Sequence, residues 1–590
     1  MKNDKTQSVD QENGGLSRRD FLKLGGAAGA AAPIITSSVS AKRDQKGYYP
    51  ALDPDPSEAT IAQMQEWMEN GEMTAEQLTR HYLTRISLVD KYRSMDSVIA
   101  TNPDAMDIAR ALDEERASSG SRGPLHGIPI LLKDNIDTGD SMQTTAGSLA
   151  LAGSPASQDA TVTDRLRAAG AIILGKTNLS EWANFRGFTS SSGWSAVGGL
   201  CSNPYYFDRN ACGSSSGSGA AVSANLCAAA LGTETDGSVV CPASTNGVVG
   251  IKPTVGLTSR AGVVPISATQ DTVGIHGRTV ADAAAVLGPL TGVDSRDPAT
   301  SASDGNSMTD YSQYADPEGL AGTRIGVARQ LGTGTDQTAV VFEQALQVMR
   351  DAGAEVVDVE IPSFDAFSND SSEIIVLIYE FKRDLNAYLA TRSGVPVTNL
   401  NEVIEFNLDN FEAELKWFGQ EFLELSQAEI FSQEQYEQAL ITGPMLAGEQ
   451  GLDATLADFN VDAIVAPTNT PAWPSDLVTG DCFQFGSSSY AAVAGYPLVT
   501  VPMGNVHGLP VGMTFMAGAW SEPTLIKVAA GFEAAAQARI IPGLYQSLTP
   551  KVRVPILKQG RNNAGYTKKE ILTNKLADYL KPRIRRPFYL

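Results

Sequence analysis

Two short glycine- and serine-rich stretches contain the residue types from which a hydrolytic nucleophile is built. The first is Cys212-Gly213-Ser214-Ser215-Ser216-Gly217-Ser218-Gly219, and the second is Gly232-Thr233-Glu234-Thr235-Asp236-Gly237-Ser238. A Gly/Ser run taken alone most often marks a flexible linker. A phosphate cradle is another reading, but no Gly-Lys-Ser/Thr follows, which excludes a P-loop. The linker reading weakens in context, because the apolar, Ala-rich stretch Ala220 to Ala230 reads as a helix between the two. Two tight turns flanking one buried helix suit a place where backbone must approach a substrate closely.

A serine hydroxyl is not acidic enough to attack unaided and needs a base. The four histidines (His81, His126, His276, His507) lie far apart and none is near these turns in sequence. A lysine can serve where burial or neighbouring positive charge lowers its pKa and leaves it neutral. Lys133 closes the apolar run Ile128-Pro129-Ile130-Leu131-Leu132, which has the character of a buried strand, and precedes Asp134-Asn135. On local sequence the same residue also reads as a surface lysine at a strand end. No H-E-x-x-H and no Cys-x-x-Cys occurs, so no metal ligand is assigned and no cofactor is expected. The five cysteines (Cys201, Cys212, Cys227, Cys241, Cys482) read best as small buried core residues; an exported chain can hold a disulfide, but the sequence does not pair them.

The elements that must position these residues alternate from about Pro56 onward. Thr74-Ala75-Glu76-Gln77 predicts a capping box, with Leu78, Tyr82, Ile86 and Val89 on one helix face. Thr161 to Ala169 reads as helix, and Ala171 to Leu174 as strand. Further strands are expected over Val461 to Ala466 and Leu498 to Pro502. Such alternation predicts an α/β fold, a sheet covered by helices on both faces. Between about 362 and 451 the pattern changes to long, acidic, aromatic-bearing helices such as Ile374 to Leu389 and Asn401 to Phe418. We read this as a helical subregion inserted into the α/β body.

Of 590 residues, 42% are apolar, which is ample for a large core, and the net charge is −22. Residues 551–590 carry a net +9, so the 550 before them carry −31. An acidic body of this kind repels phosphate backbones, so nucleic acid is not expected as a partner. Near the start, Ser17-Arg18-Arg19-Asp20-Phe21-Leu22-Lys23 precedes a weakly apolar stretch and then Val39-Ser40-Ala41. Paired arginines, a modest apolar region and a small-residue cleavage site compose a twin-arginine export signal. We therefore expect 1–41 to be that signal, 42–56 a linker, 57–550 the globular domain and 551–590 a basic tail. The mature chain is expected to start near Lys42, in the periplasm, without stable membrane insertion once the signal is removed.

The two Gly/Ser stretches, with Pro242 after them, resemble the core of the amidase signature family. Leu125-His126-Gly127-Ile128-Pro129-Ile130-Leu131-Leu132-Lys133-Asp134-Asn135 is similar to its lysine motif, and Gly250 to Thr254 and Leu509 to Met513 to further blocks. The resemblance spans about 57–540. It implies a three-layer α/β/α sandwich around a large mixed sheet and a Ser–cis-Ser–Lys triad. Ser238 would be the nucleophile, Ser214 the bridging serine in a cis peptide with Gly213, and Lys133 the base. Backbone amides of Thr235, Asp236, Gly237 and Ser238 would form the oxyanion hole. Asp236, Val240 and Ser216 depart from the usual glycine, arginine and glycine. The Cys-Gly-Ser-Ser-Ser-Gly-Ser form and the loop Ser191-Ser192-Gly193-Trp194-Ser195 resemble the bacterial peptide amidase branch. The substrate would then be a small-molecule or peptide amide, with Ser191, Ser192, Gly193 and Tyr379 as candidate substrate-binding residues. Two other functions fit the same core: the amidase component of a tRNA-dependent amidotransferase, and an exported binding protein without activity. The export signal weighs against the first, and retention of both serines and Lys133 against the second.

Overall fold

The computed structural model describes residues 52–332 and 335–548. The export segment, residues 42–51 of the linker and the basic tail lie outside the described residues. Thirteen strands are present among them: β1 (Val98–Thr101), β2 (Pro129–Lys133), β3 (Ile172–Thr177), β4 (Trp194–Ser195), β5 (Gly199–Leu200), β6 (Ala229–Glu234), β7 (Val249–Lys252), β8 (Thr272–Gly277), β9 (Arg324–Ala328), β10 (Glu355–Val359), β11 (Ala463–Pro467), β12 (Leu498–Val506) and β13 (Leu509–Met516). β4 and β5 pair only with each other. The rest form one 11-stranded sheet in the order β1-β3-β2-β6-β8-β7-β12-β13-β11-β9-β10. Within it β3, β2 and β6 run parallel, as do β11, β9 and β10, while the remaining pairs are antiparallel.

Every residue of β2, β3 and β6 is buried, as parallel strands covered on both faces require. β11 shows the two faces directly. Ala463 and Val465 point into the main core with Phe515, Leu525 and Phe532. Ile464 and Ala466 point into a second core with Tyr490, Leu498 and Met516. The fold is therefore an α/β/α sandwich around a mixed sheet. Among the described residues no helix is long and apolar enough to cross a membrane.

The capping box forms as its sequence predicts: the Thr74 hydroxyl accepts from the Gln77 N–H at 3.1 Å, and the Gln77 side chain accepts from the Thr74 N–H at 2.9 Å. Leu78, Tyr82, Ile86 and Val89 are all buried. Between β10 and β11 the chain is helical, with Ser372–Leu389 the longest element. This helix lays Ile378, Phe381, Leu385 and Leu389 against Ala146, Leu151, Trp182, Phe185 and Ile266 of the body. A buried guanidinium pins the two together. Arg186 pairs with Glu181 at 2.8 Å and donates to the backbone carbonyls of Glu414 and Gly419, each at 2.6 Å.

Three elements differ from their sequence expectation. The helix expected over Ala220 to Ala230 is Ser216–Ser223, and Ala229 and Ala230 open β6. Asn225 breaks the run with a left-handed φ of 57°, and an alanine string offers no periodicity to mark that break. The helix expected over Asn401 to Phe418 ends at Asp409, because Asn410 leaves helical geometry (φ −109°, ψ 35°) before a short turn, Phe411–Glu414. The cysteines are not all core thiols: Cys212 and Cys241 form a disulfide, while Cys201 and Cys227 are free and buried and Cys482 is free and exposed.

Candidate active site

Lys133 ends β2, Thr177 ends β3 and Glu234 ends β6, so three adjacent parallel strands present their carboxyl ends together. That edge of an open α/β sheet is where ligands bind. Lys133 is fully buried. Its amine lies 2.7 Å from Ser214 Oγ, 2.8 Å from Thr233 Oγ1 and 3.3 Å from the Thr233 carbonyl. Burial pushes its pKa down to about 7, against the opposing pull of the Asp271 and Glu234 charges. The surface-lysine reading is thereby excluded.

The serine run is held residue by residue and is no linker. The Gly213–Ser214 peptide is cis. The Ser214 carbonyl accepts from the Ser180 N–H at 3.0 Å. Ser215 Oγ donates to the Thr233 carbonyl at 3.1 Å, Ser216 Oγ to the Cys212 carbonyl, and Ser218 Oγ to the Leu231 carbonyl at 2.8 Å. Gly213 is required sterically, since a Cβ there would sit 2.1 Å from Ser180 Oγ.

β6 then turns sharply, with Gly237 at a φ of +78°. Glu234 braces this turn by accepting from the N–H groups of Val239 (2.6 Å) and Val240 (2.9 Å). Thr235 Oγ1 donates to Asp271 Oδ1 at 2.6 Å. The Asp236 carboxylate accepts from Ser488 Oγ at 2.5 Å and Ser489 Oγ at 2.7 Å. Among the described residues no group accepts from the N–H of Asp236, Gly237 or Ser238. The Ser238 carbonyl accepts from the Ser215 N–H at 3.1 Å, joining the two turns, and Ser238 keeps 8% of its surface exposed. Lys133 and Ser214 thus meet side chain to side chain at the strand edge, and the turn of Ser238 is tied to the serine run through its backbone. Sequence reading missed Thr233, Glu234 and Asp271. Glu234 lies inside the motif, whereas nothing local marks Asp271.

The chain matches the amidase family model over residues 77–526. It belongs to the amidase family. This amidase is 42% identical to a probable amidase of Arabidopsis thaliana, over 82% of this chain and 91% of that one. It is 33% identical to a glutamyl-tRNA(Gln) amidotransferase component from Salinispora arenicola, over 82% and 98% respectively. Among solved structures it resembles the native peptide amidase of Stenotrophomonas maltophilia, at 48% identity and a TM-score of 0.79 over 83% of this chain and 99% of that one. A peptide amidase bound to the competitive inhibitor chymostatin is similar at 49% identity and a TM-score of 0.80, over 82% and 99%. The chain is an amidase signature hydrolase close to the peptide amidases. Residues 15–32 match the twin-arginine translocation signal, in keeping with export.

The candidate substrate residues fall into two groups. The 191–193 loop lies beside Ser214: the Gly193 N–H donates to Ser180 Oγ at 2.9 Å, and the Ser180 N–H in turn donates to the Ser214 carbonyl. Its outer part is tied to the 473–481 segment, through Ser192 N–H to Asp481 (2.9 Å) and Ser191 Oγ to the Asp476 carbonyl (3.1 Å). Tyr379 instead stacks on Tyr436 with ring centroids 4.1 Å apart, a contact between two inserted helices. Glu373 is the residue of that helix that reaches toward the turns. It accepts at 3.0 Å from Gln270 Nε2, which lies 3.4 Å from the Thr235 carbonyl. Burial, and then the Asp236 charge, push its carboxyl up to about 8. Beyond Asp271 opens a cavity of about 310 Å³, lined in part by Arg260, Asp297, Asp384, Tyr388 and Arg392; neither Lys133 nor Ser238 borders it.

Proposed function

We propose that this amidase hydrolyses C-terminal carboxamides of peptides to carboxylate and ammonia, through an acyl-enzyme on Ser238. Neutral Lys133 takes the proton of Ser214, and Ser214 takes that of Ser238 as its oxygen attacks the carboxamide carbonyl. The oxyanion meets the N–H groups of Asp236, Gly237 and Ser238, with Thr235 closing the hole. Donors of this kind are worth about 2.7–4 kcal/mol each. The same proton chain run backwards delivers a proton to the departing nitrogen, and ammonia leaves. Water then enters by the same route and releases the acid. The observation that carries this reading is the buried Lys133 amine, 2.7 Å from Ser214 and with its pKa lowered to about 7.

The peptide-amide specificity is supported by the likeness to peptide amidases at 48–49% identity, against 33% to the amidotransferase component. In this reading the 191–193 loop meets the extended main chain of the substrate's last residues, and the enzyme works in the periplasm. Ammonia release from matched peptide, fatty-acyl and aryl amides tests it. Peptide amides should turn over fastest, and internal peptide bonds should remain intact. Faster turnover of a long-chain fatty amide would refute the specificity and leave the triad standing.

Asp271→Asn offers an independent check on the base. The Asp271 carboxylate raises the Lys133 pKa, so removing its charge lowers that pKa further. The acid limb of the kcat/KM profile is then expected at lower pH than in the native enzyme. Asn still offers Thr235 an acceptor oxygen, which preserves the contact at that hydroxyl. A limb that stays in place or moves upward would contradict Lys133 as the titrating base.

A further inference from the structure

The disulfide links the two turns of the proposed triad. Cys212 stands two residues before Ser214, and Cys241 three residues after Ser238; their Cα atoms are 6.0 Å apart across 29 residues of sequence. Both half-cystines are buried and pack with Trp473, against which Phe483 rests. Cys212 has a left-handed φ of 55°, a conformation that a non-glycine residue keeps only where its surroundings hold it. Its N–H donates to Asn210 Oδ1 at 2.7 Å, and its carbonyl receives the Ser216 hydroxyl. The Cys212 backbone leads directly into Gly213-Ser214, so its placement sets where the Ser214 hydroxyl can lie.

Other contacts also join these segments. Thr245 Oγ1 and Asn246 Nδ2 both donate to the Ala211 carbonyl at 2.9 Å, and the Ser215 N–H donates to the Ser238 carbonyl. These hydrogen bonds and the packed sheet below hold the segments in the fold whether or not the bridge is closed. The bond adds something narrower: it restrains the approach of one turn to the other. Proton relay between two hydroxyls depends steeply on that approach, and a misplacement near 1 Å can cost about 100-fold in rate.

We propose that the Cys212–Cys241 bond is a positioning element of the reaction, holding Ser214 and Ser238 in relay geometry, so that opening it lowers kcat without unfolding the enzyme. This rests on the triad assigned above. A phosphine reductant supplies the two electrons and becomes its phosphine oxide, water supplies that oxygen and two protons, and the S–S bond is replaced by two thiols. The match to an export signal fits the requirement, because such bridges persist in oxidising compartments.

The test compares the oxidised full-length enzyme, the same protein after reduction by a phosphine, and the Cys212→Ser/Cys241→Ser double variant, all on one peptide amide at 25 °C. Differential alkylation read by mass spectrometry establishes that Cys212 and Cys241 have become reactive. Reduction is expected to lower kcat by about 10- to 100-fold. KM should stay within about twofold and the circular dichroism spectrum should be unchanged, with activity returning on reoxidation. The double variant should show the same split between kcat and KM, and it serves alone where the bridge resists the reductant. Verified reduced enzyme with native kcat, or activity lost only in step with ellipticity, would overturn the proposal. Failure of the triad looks different: Ser238→Ala would then stay active, whatever reduction does.

Discussion

Ser238→Ala is expected to fold as the native enzyme does and to release ammonia at no more than about 10⁻⁴ of the native rate. Its hydroxyl has no structural duty that alanine would leave undone. The contact that joins its turn to the serine run is made by its backbone carbonyl, and Glu234 braces the turn through the amides of Val239 and Val240. In the proposed mechanism, removing the hydroxyl takes away the atom that forms the acyl bond and leaves the oxyanion donors in place. The variant should therefore still bind peptide amides with an affinity close to native. Mass spectrometry of quenched reactions separates the cases: the native enzyme should carry an acyl adduct on Ser238 and the variant none. Turnover within tenfold of native would show that another group is the nucleophile.

What could be read from sequence, and what could not, follows the range of each interaction. Lys133 was marked by a contiguous apolar run and by its motif, yet its burial is produced by β3 and β6 on either side of β2. Those strands lie tens of residues away, so local reading also allowed an exposed strand end. Thr233 meets the lysine only after β2 and β6 pair, and Asp271 meets the turn only after β6 and β8 pair; no spacing rule anticipates either. The pairing of the cysteines is not legible for a related reason, because Cys212 and Cys241 are brought together by the two turns and not by any Cys-x-x-Cys pattern. On the inserted helix the sequence reading names an aromatic residue, Tyr379, and not Glu373. Periodicity shows that both lie on a helix, but the facing elements decide which side chain packs on Tyr436 and which reaches Gln270. The sheet and the capping box were legible because they arise from patterns a few residues long.

Lys133→Arg and Lys133→Met are both expected to lose activity by about 10³-fold or more, for opposite reasons. An ordinary lysine amine is neutral at pH 7 in about one molecule in 3,000, whereas burial leaves Lys133 neutral in about half. Arginine keeps the positive charge and the hydrogen-bond donors but cannot be deprotonated. Methionine fills the buried position without charge but offers no basic nitrogen. If Lys133 served only as a cation holding Ser214 in place, arginine would preserve much of the function; if it served only as packing, methionine would. Failure of both leaves proton transfer as the role. The proposed role also fixes the sign of the pH dependence: as the base, Lys133 would act in its neutral form, and its pKa is lowered to about 7. Native kcat/KM should accordingly be level above about pH 8 and fall about tenfold per pH unit below about 6, while Lys133→Met should keep a residual rate that lacks this limb. A native profile that rises toward acid, or an arginine variant with near-native turnover, would remove Lys133 from the base's role.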